Sequence, residues 1–169
     1  MRVSAEKRRA ATEAEAAAMA SGIRLRIIRL TFSEALTNKE LAGRLGRDPA
    51  TTLHHVRKLV ETGFLVAQPP RRGARGAKEI PYLSTGLSWT LDSCGDQGVK
   101  QAVLEAYLAE IAETGFEDVQ QTRLVVQVAP EEREELENRL ESLLEEFRAR
   151  PRRPGAKRTA IYLATYPST

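Results

Sequence analysis

Cysteine is almost absent: Cys94 is the only one in 169 residues. A single thiol excludes an intrachain disulfide, and a cysteine-based metal site would lack its ligands. Histidine is nearly as scarce, with His54 and His55 standing side by side. Adjacent residues on a helix point about 100° apart, so the two imidazoles do not converge on one ion. A catalytic histidine–carboxylate pair is equally hard to place. No apolar run approaches the roughly 20 residues needed to cross a bilayer. Behind Met1-Arg2-Val3-Ser4-Ala5-Glu6 there is no apolar core of the kind a signal peptide carries. The expectation is a cytoplasmic protein without a membrane partner. Also lacking are a glycine-rich phosphate loop, a serine nucleophile elbow and any cluster of histidines and carboxylates at metal spacing. Neither an enzyme, nor a cofactor, nor a bound metal is expected.

What is present is the profile of a globular chain, 41% apolar and 29% charged. The net charge of +3 is unevenly spread. Residues 1–90 hold 16 Lys and Arg against 8 Asp and Glu, and residues 91–169 hold 10 against 15. A balance of +8 in front and −5 behind points to a polyanion partner for the first half and a different task for the second.

Residues 4–20, rich in Ala, Glu, Lys and Arg, predict a helix that Gly22 breaks or bends. A second helix over 23–32 carries Ile23, Ile27 and Leu30 between Arg24, Arg26 and Arg29. Thr37-Asn38-Lys39-Glu40 reads as a capping box opening a short helix that Gly46 ends. Asp48-Pro49 is an N-cap followed by proline at the first helical position, and the helix it starts runs to Gly63. Two short helices joined through Gly46-Arg47-Asp48 make a helix-turn-helix. A strand over 64–67 and a return over 79–85 then bracket a basic tip, and Pro81 predicts an edge position for the return strand. A hairpin placed directly after a helix-turn-helix is a wing, here residues 69–80.

On a helical wheel of about 100° per residue, Leu53, Val56, Leu59 and Val60 of helix 50–62 share one face. Thr51, His54, His55 and Lys58 share the opposite one, and Arg57 lies at the border. A face of short polar and imidazole side chains suits a recognition helix in the major groove, with Arg57 on a phosphate. The alternative is a plain solvated helix face. The candidate DNA contacts are Thr51, Thr52, His54, His55, Arg57 and Lys58 on the helix, with Arg71, Arg72, Arg75 and Lys78 in the wing. Arginines in a glycine-containing loop suit phosphates or a minor groove, and a solvated loop is the competing reading.

The run IRLRIIRLTF…LTNKELAGRLGRDPATTLHHVRKLVETGFL resembles the arsenic-repressor (ArsR-type) winged-helix regulators of bacteria. The match covers roughly residues 20–90: an arginine-bearing helix, a T-x-x-E-L-A helix, His55-Val56-Arg57-Lys58-Leu59, and Gly63-Phe64-Leu65. The resemblance implies operator binding as a homodimer and usually repression. It also implies a dimer interface built from the first and last helices of the winged domain, here residues 4–20 and 97–114. One departure concerns sensing: Asn38 to Leu45 contains no cysteine, so a thiolate metal sensor is not implied. Cys94 is left as a candidate redox switch or an inert thiol, and an effector remains unidentified, with Trp89 and Tyr107 as either pocket walls or core.

Beyond residue 95 a helix over 97–114 precedes a strand over 123–128, a helix with Leu136, Leu140, Leu143, Leu144 and Phe147 on one face, and a strand over 160–164. The predicted class is α+β: a winged helix-turn-helix domain over 1–95, followed over 96–169 by a dimerisation helix and a small strand-helix-strand unit. Two strands make a marginal sheet, so that unit needs a partner. The glutamates of its helix read as a solvated face paired locally with Arg133, Arg139 and Arg148. The leading function is a sequence-specific regulator binding a double-stranded operator. A nonspecific DNA-binding protein and a winged-helix protein-interaction module are the alternatives.

Overall fold

The structure, a computed structural model, describes residues 8–73, 76–92, 95–151, 153 and 155–168. Arg75, Cys94 and residues 4–7 of the expected first helix lie outside the described residues. The chain divides into two compact units, Lys7–Glu117 and, together with Met1–Glu6, Asp118–Thr169.

The first unit opens with β1 (Arg9–Ala10) and α1 (Glu13–Met19). The expected helix thus starts later, for a local reason. Thr12 is its N-cap: Oγ1 accepts from the Glu15 amide at 3.3 Å, and Glu15 Oε2 accepts from the Thr12 amide at 2.8 Å. Arg9 donates to both oxygens of Glu15, at 2.8 and 2.5 Å, which favours an extended chain before the cap. Next comes α2 (Gly22–Leu30), with Gly22 as its first helical residue and Ser21 as its cap. Gly22 matters for close approach: a Cβ there would lie 3.2 Å from Glu105 Cβ and 3.3 Å from the Ala106 nitrogen.

β2 (Leu36–Thr37) leads into α3 (Asn38–Leu45), and α4 (Pro49–Glu61) follows a three-residue turn. The Thr37 capping box forms as predicted, with Glu40 Oε2 accepting from the Thr37 amide at 2.8 Å. Gly46 closes α3 at φ 59° while the Arg47 amide donates back to Ala42 O. Asp48 Oδ1 accepts from the amides of Ala50 and Thr51, so α4 starts on a satisfied cap. At its far end the Gly63 amide donates to Val60 O and the Phe64 amide to Leu59 O, with Gly63 at φ 79°. This Schellman closure turns Phe64 into the core, where it is fully buried beside Leu59, Val56, Leu41, Ile27 and Leu36.

Then follow β3 (Leu65–Ala67), β4 (Arg71–Arg72), β5 (Lys78–Glu79) and β6 (Pro81–Ser84). The main sheet has the order β2-β6-β3, antiparallel throughout, with Leu65 opposite Ser84 and Leu36 opposite Tyr82. The return strand is therefore central, not an edge. Pro81 is tolerated because it is the first residue of β6, opposite Thr37 at the end of β2. Tip strands β4 and β5 pair separately.

A short helix α5 (Leu87–Thr90) and β7 (Leu91–Asp92), parallel to β1, lead to α6 (Gln97–Thr114). Val99, Ala102 and Ala106 of α6 are buried, and its contacts are with α1 and α2. Arg26 and Glu113 pair at 2.5 Å across the α2–α6 packing, and Arg29 and Glu110 at 3.5 Å. A division at residue 95 would thus separate α6 from the helices it packs on.

In the second unit, α7 (Pro130–Arg148) forms where the acidic first turn and Pro130 predicted it. Glu132 accepts from the Ala129 amide at 2.8 Å, and Arg133–Glu137 and Arg139–Glu135 pair along the helix. Residues 123–128 and 160–164 differ from expectation: among the described residues neither belongs to a ladder. Their apolar side chains stay largely in solvent, Leu124 at 79% and Ile161 at 62%. Two strands and one helix bury too little to hold a sheet alone. No helix among the described residues is long and apolar enough to cross a membrane.

Candidate nucleic-acid interface

The exposed side of α4 carries Thr51, His54 and Arg57, while Val56, Leu59 and Thr52 point inward. Thr52 is a correction. It is 1% exposed, and its hydroxyl donates to Asp48 O at 2.9 Å, so it has no surface to offer DNA. Its wheel position, about 260° from Leu53, already lies between Leu59 and Val56. Val60, expected inside, is 37% exposed, and Leu53 is half-buried. The buried stripe is therefore rotated towards Thr52, which fits because its hydroxyl finds a backbone acceptor one turn back.

His55 and Lys58 are half-buried. The Nδ1 atom of His55 is buried without a hydrogen-bond partner. Burial pushes the imidazole below its ordinary pKa, and the charges of Arg24 and Arg47, with the neighbouring His54 ring, push it further the same way. Arg24 is fixed by α1: its guanidinium donates to Ala18 O at 2.5 Å and Ala17 O at 2.7 Å. His55 thus stands at the junction of α2, the turn and α4, where sequence reasoning had placed an open reading face.

The wing splits its cations. Arg71 reaches back to α3 and pairs with Glu40 at 2.5 Å. The Thr37 amide and hydroxyl, with Arg71, hold the Glu40 carboxyl below its usual range against an opposing effect of burial. Glu40 therefore caps α3 and tethers the wing, a double role the capping-box pattern alone did not reveal. Arg72 and Lys78 are exposed and directly opposite each other across β4 and β5. Like charges at opposed positions repel. That repulsion leaves a site where an anion between or beside them is stabilising.

Among the described residues no group of His, Cys, Asp and Glu side chains is arranged to hold a metal ion. Tyr107 is half-buried, and the Trp89 ring lies under the Arg8 guanidinium at 4.9 Å.

A helix-turn-helix domain family matches residues 19–67, which span α2 through β3. The chain thus carries a helix-turn-helix domain, and the strands β2, β6 and β3 around it give the winged form. A search of the curated proteins finds no match. Among solved structures, reduced HlyU from Vibrio cholerae shares 21% identity at TM-score 0.34, covering 54% of this chain and 81% of that one. Wild-type ZitR from Lactococcus lactis in complex with DNA shares 20% at TM-score 0.34, covering 75% and 74%. The zinc-dependent MarR-family regulator AdcR, in its Zn(II)-bound state, shares 24% at TM-score 0.32, covering 75% and 74%. With overlaps of this size, the fold rests on the helices and strands themselves.

Proposed function

We propose that this protein is a DNA-binding transcription regulator of ArsR-like type, a homodimeric repressor acting in the cytoplasm of a bacterium. The observation that carries the reading is the exposed polar face of α4, Thr51, His54 and Arg57, set in a helix-turn-helix whose wing presents Arg72 opposite Lys78. An α-helix fits the major groove, where Thr can meet a thymine methyl and His a purine edge. Arg57, Lys58, Arg72 and Lys78 then grip phosphates, and Arg75, which falls between Arg72 and Lys78 in the sequence, is proposed for the same task. Arg71 takes a lesser share because Glu40 competes for it. His55 supports the reading helix from behind.

The homodimer is supported by α6, which buries one stripe yet leaves Val103, Leu104 and Leu108 at 40%, 44% and 56% exposure. An apolar face left in water on a helix beside the domain suits a second copy. The test is binding of the purified chain to duplexes chosen from a randomised pool, at two salt concentrations. The reading requires an enriched two-fold symmetric site with half-sites about one turn apart, and affinity that falls with salt. Binding that weakens in salt without any enriched sequence overturns the sequence-specific part. No binding at all overturns the whole reading.

A further inference from the structure

The first turn of α3 is bound to more than its own helix. Thr37 stands opposite Pro81 of β6, and Glu40 holds Arg71 of the wing at 2.5 Å. Asn38 lies between them and takes no part in the capping box that Thr37 and Glu40 form. Its side chain crosses to the next helix instead. Nδ2 donates at 2.8 Å to the carbonyl of Pro49, the first residue of α4. The opposite amide orientation would set two acceptors against each other at that distance, so the donor is the nitrogen. The arrangement has a cost, because Asn38 Oδ1 is buried without a hydrogen-bond partner. An unsatisfied buried acceptor is destabilising, and an asparagine in that state calls for a reason other than stability.

The reason lies at the start of α4. Val56 and Leu59 anchor the later turns of that helix in the core. In the first turn Pro49, Ala50 and Thr51 are exposed, and Thr52 alone is buried. Polar links hold this end: Asp48 Oδ1 accepts from the amides of Ala50 and Thr51, and Asn38 grips the carbonyl of Pro49. The Asp48 cap belongs to the segment leading into α4 and travels with it. Asn38 belongs to α3, so its hydrogen bond fixes where the start of α4 lies against the neighbouring helix. In the function proposed above, this end carries Thr51 towards the bases. Contacts of that kind require side chains held to about 0.5 Å.

We propose that Asn38 is a positioning residue for DNA reading: by holding the Pro49 carbonyl it sets the approach of the first turn of α4, and with it Thr51, to the base edges. The inference rests on the DNA-binding reading and deepens it. The full chain is measured against two duplexes at one salt concentration: the one that the parent enriches from a randomised pool, and an unrelated one of equal length. Asn38→Ala is expected to lower the ratio of the two affinities by at least about tenfold, the scale of one mismatched base pair. Its urea midpoint is expected not to fall, because the unpaired Oδ1 leaves together with the donor. Asn38→Asp keeps the size of the side chain and suits a first helical turn, but it cannot donate to Pro49. It is expected to lower the ratio as well, and it carries the test if the alanine variant fails to fold. A merely structural role would lower the urea midpoint and leave the ratio unchanged. That result overturns the inference while the DNA-binding reading stands, and so does a ratio and a midpoint both unchanged. A parent that enriches no duplex overturns the inference together with sequence-specific reading.

Discussion

Thr51 and Thr52 are neighbours with opposite situations. Thr51 is exposed at the start of α4, and Thr52 is 1% exposed with its hydroxyl on Asp48 O. Thr52→Val removes that hydrogen bond at little change of volume and is expected to cost about 1 kcal/mol of stability in urea unfolding. Its effect on the preferred DNA sequence is expected to be nil. Thr51→Ala is expected to do the reverse. His55 belongs to the same scale. Its pKa is lowered in the folded protein, so the unfolded chain binds the proton more readily. The stability that the neutral ring supports is present above the ordinary histidine pKa. It is lost as pH falls below about 6.5 towards the lowered folded value. Urea midpoints of the parent and His55→Gln at pH 7.5 and 5.5 test this. The parent is expected to lose more on acidification than the variant, and equal losses would contradict the burial of this imidazole. Arg24, His54 and Arg47 are the groups whose electrostatic effect on it runs in the same direction as burial.

Among the elements, α3 and α4 owe their ends to residues whose chemistry is local. The Thr37 and Asp48 caps and the Gly46 and Gly63 stops were all legible because each needs only a few consecutive residues. Gly63→Ala places a Cβ at φ 79° and is expected to cost about 1–2 kcal/mol, read as a lower urea midpoint with an unchanged slope. The start of α1 was equally local: Thr12-x-x-Glu15 is a capping box, overlooked because the alanine-rich run around it suggested one longer helix. The central place of β6 was not legible. It depends on β2, a two-residue strand some forty residues earlier that no periodicity can signal. The wing shows how register sorts like residues. Arg72→Ala and Lys78→Ala are each expected to lower the slope of log affinity against log salt by about 1. Arg71→Ala is expected to lower it by less, since Glu40 already holds that guanidinium. Equal slopes for all three variants would contradict this division.

For the molecule as a whole, charge and packing divide the chain in different places. The excess of cations lies in residues 1–90, but the first compact unit runs on to Glu117 because α6 packs against α1 and α2. Sequence patterns gave the helix-turn-helix, the wing and α7, each set by periodicity and turn residues near in sequence. They did not give the state of 123–128 and 160–164, which have strand composition but lie in no ladder among the described residues. The polar side of α4 was partly legible. Thr51 and His54 face solvent as the wheel indicates, and Arg57, at its border, is exposed as well, while Thr52 is buried and His55 half-buried.

The most direct test of the account is a randomised-duplex selection run in parallel on the parent and on a chain carrying Thr51→Ala and His54→Ala. Reading by the outer face of α4 predicts that the parent enriches one symmetric site, and that the variant enriches a different or degenerate one at the half-site bases. It also predicts that both chains keep a similar salt-dependent affinity for unrelated DNA. The same site enriched by both chains would contradict the claim that α4 reads the bases through these residues.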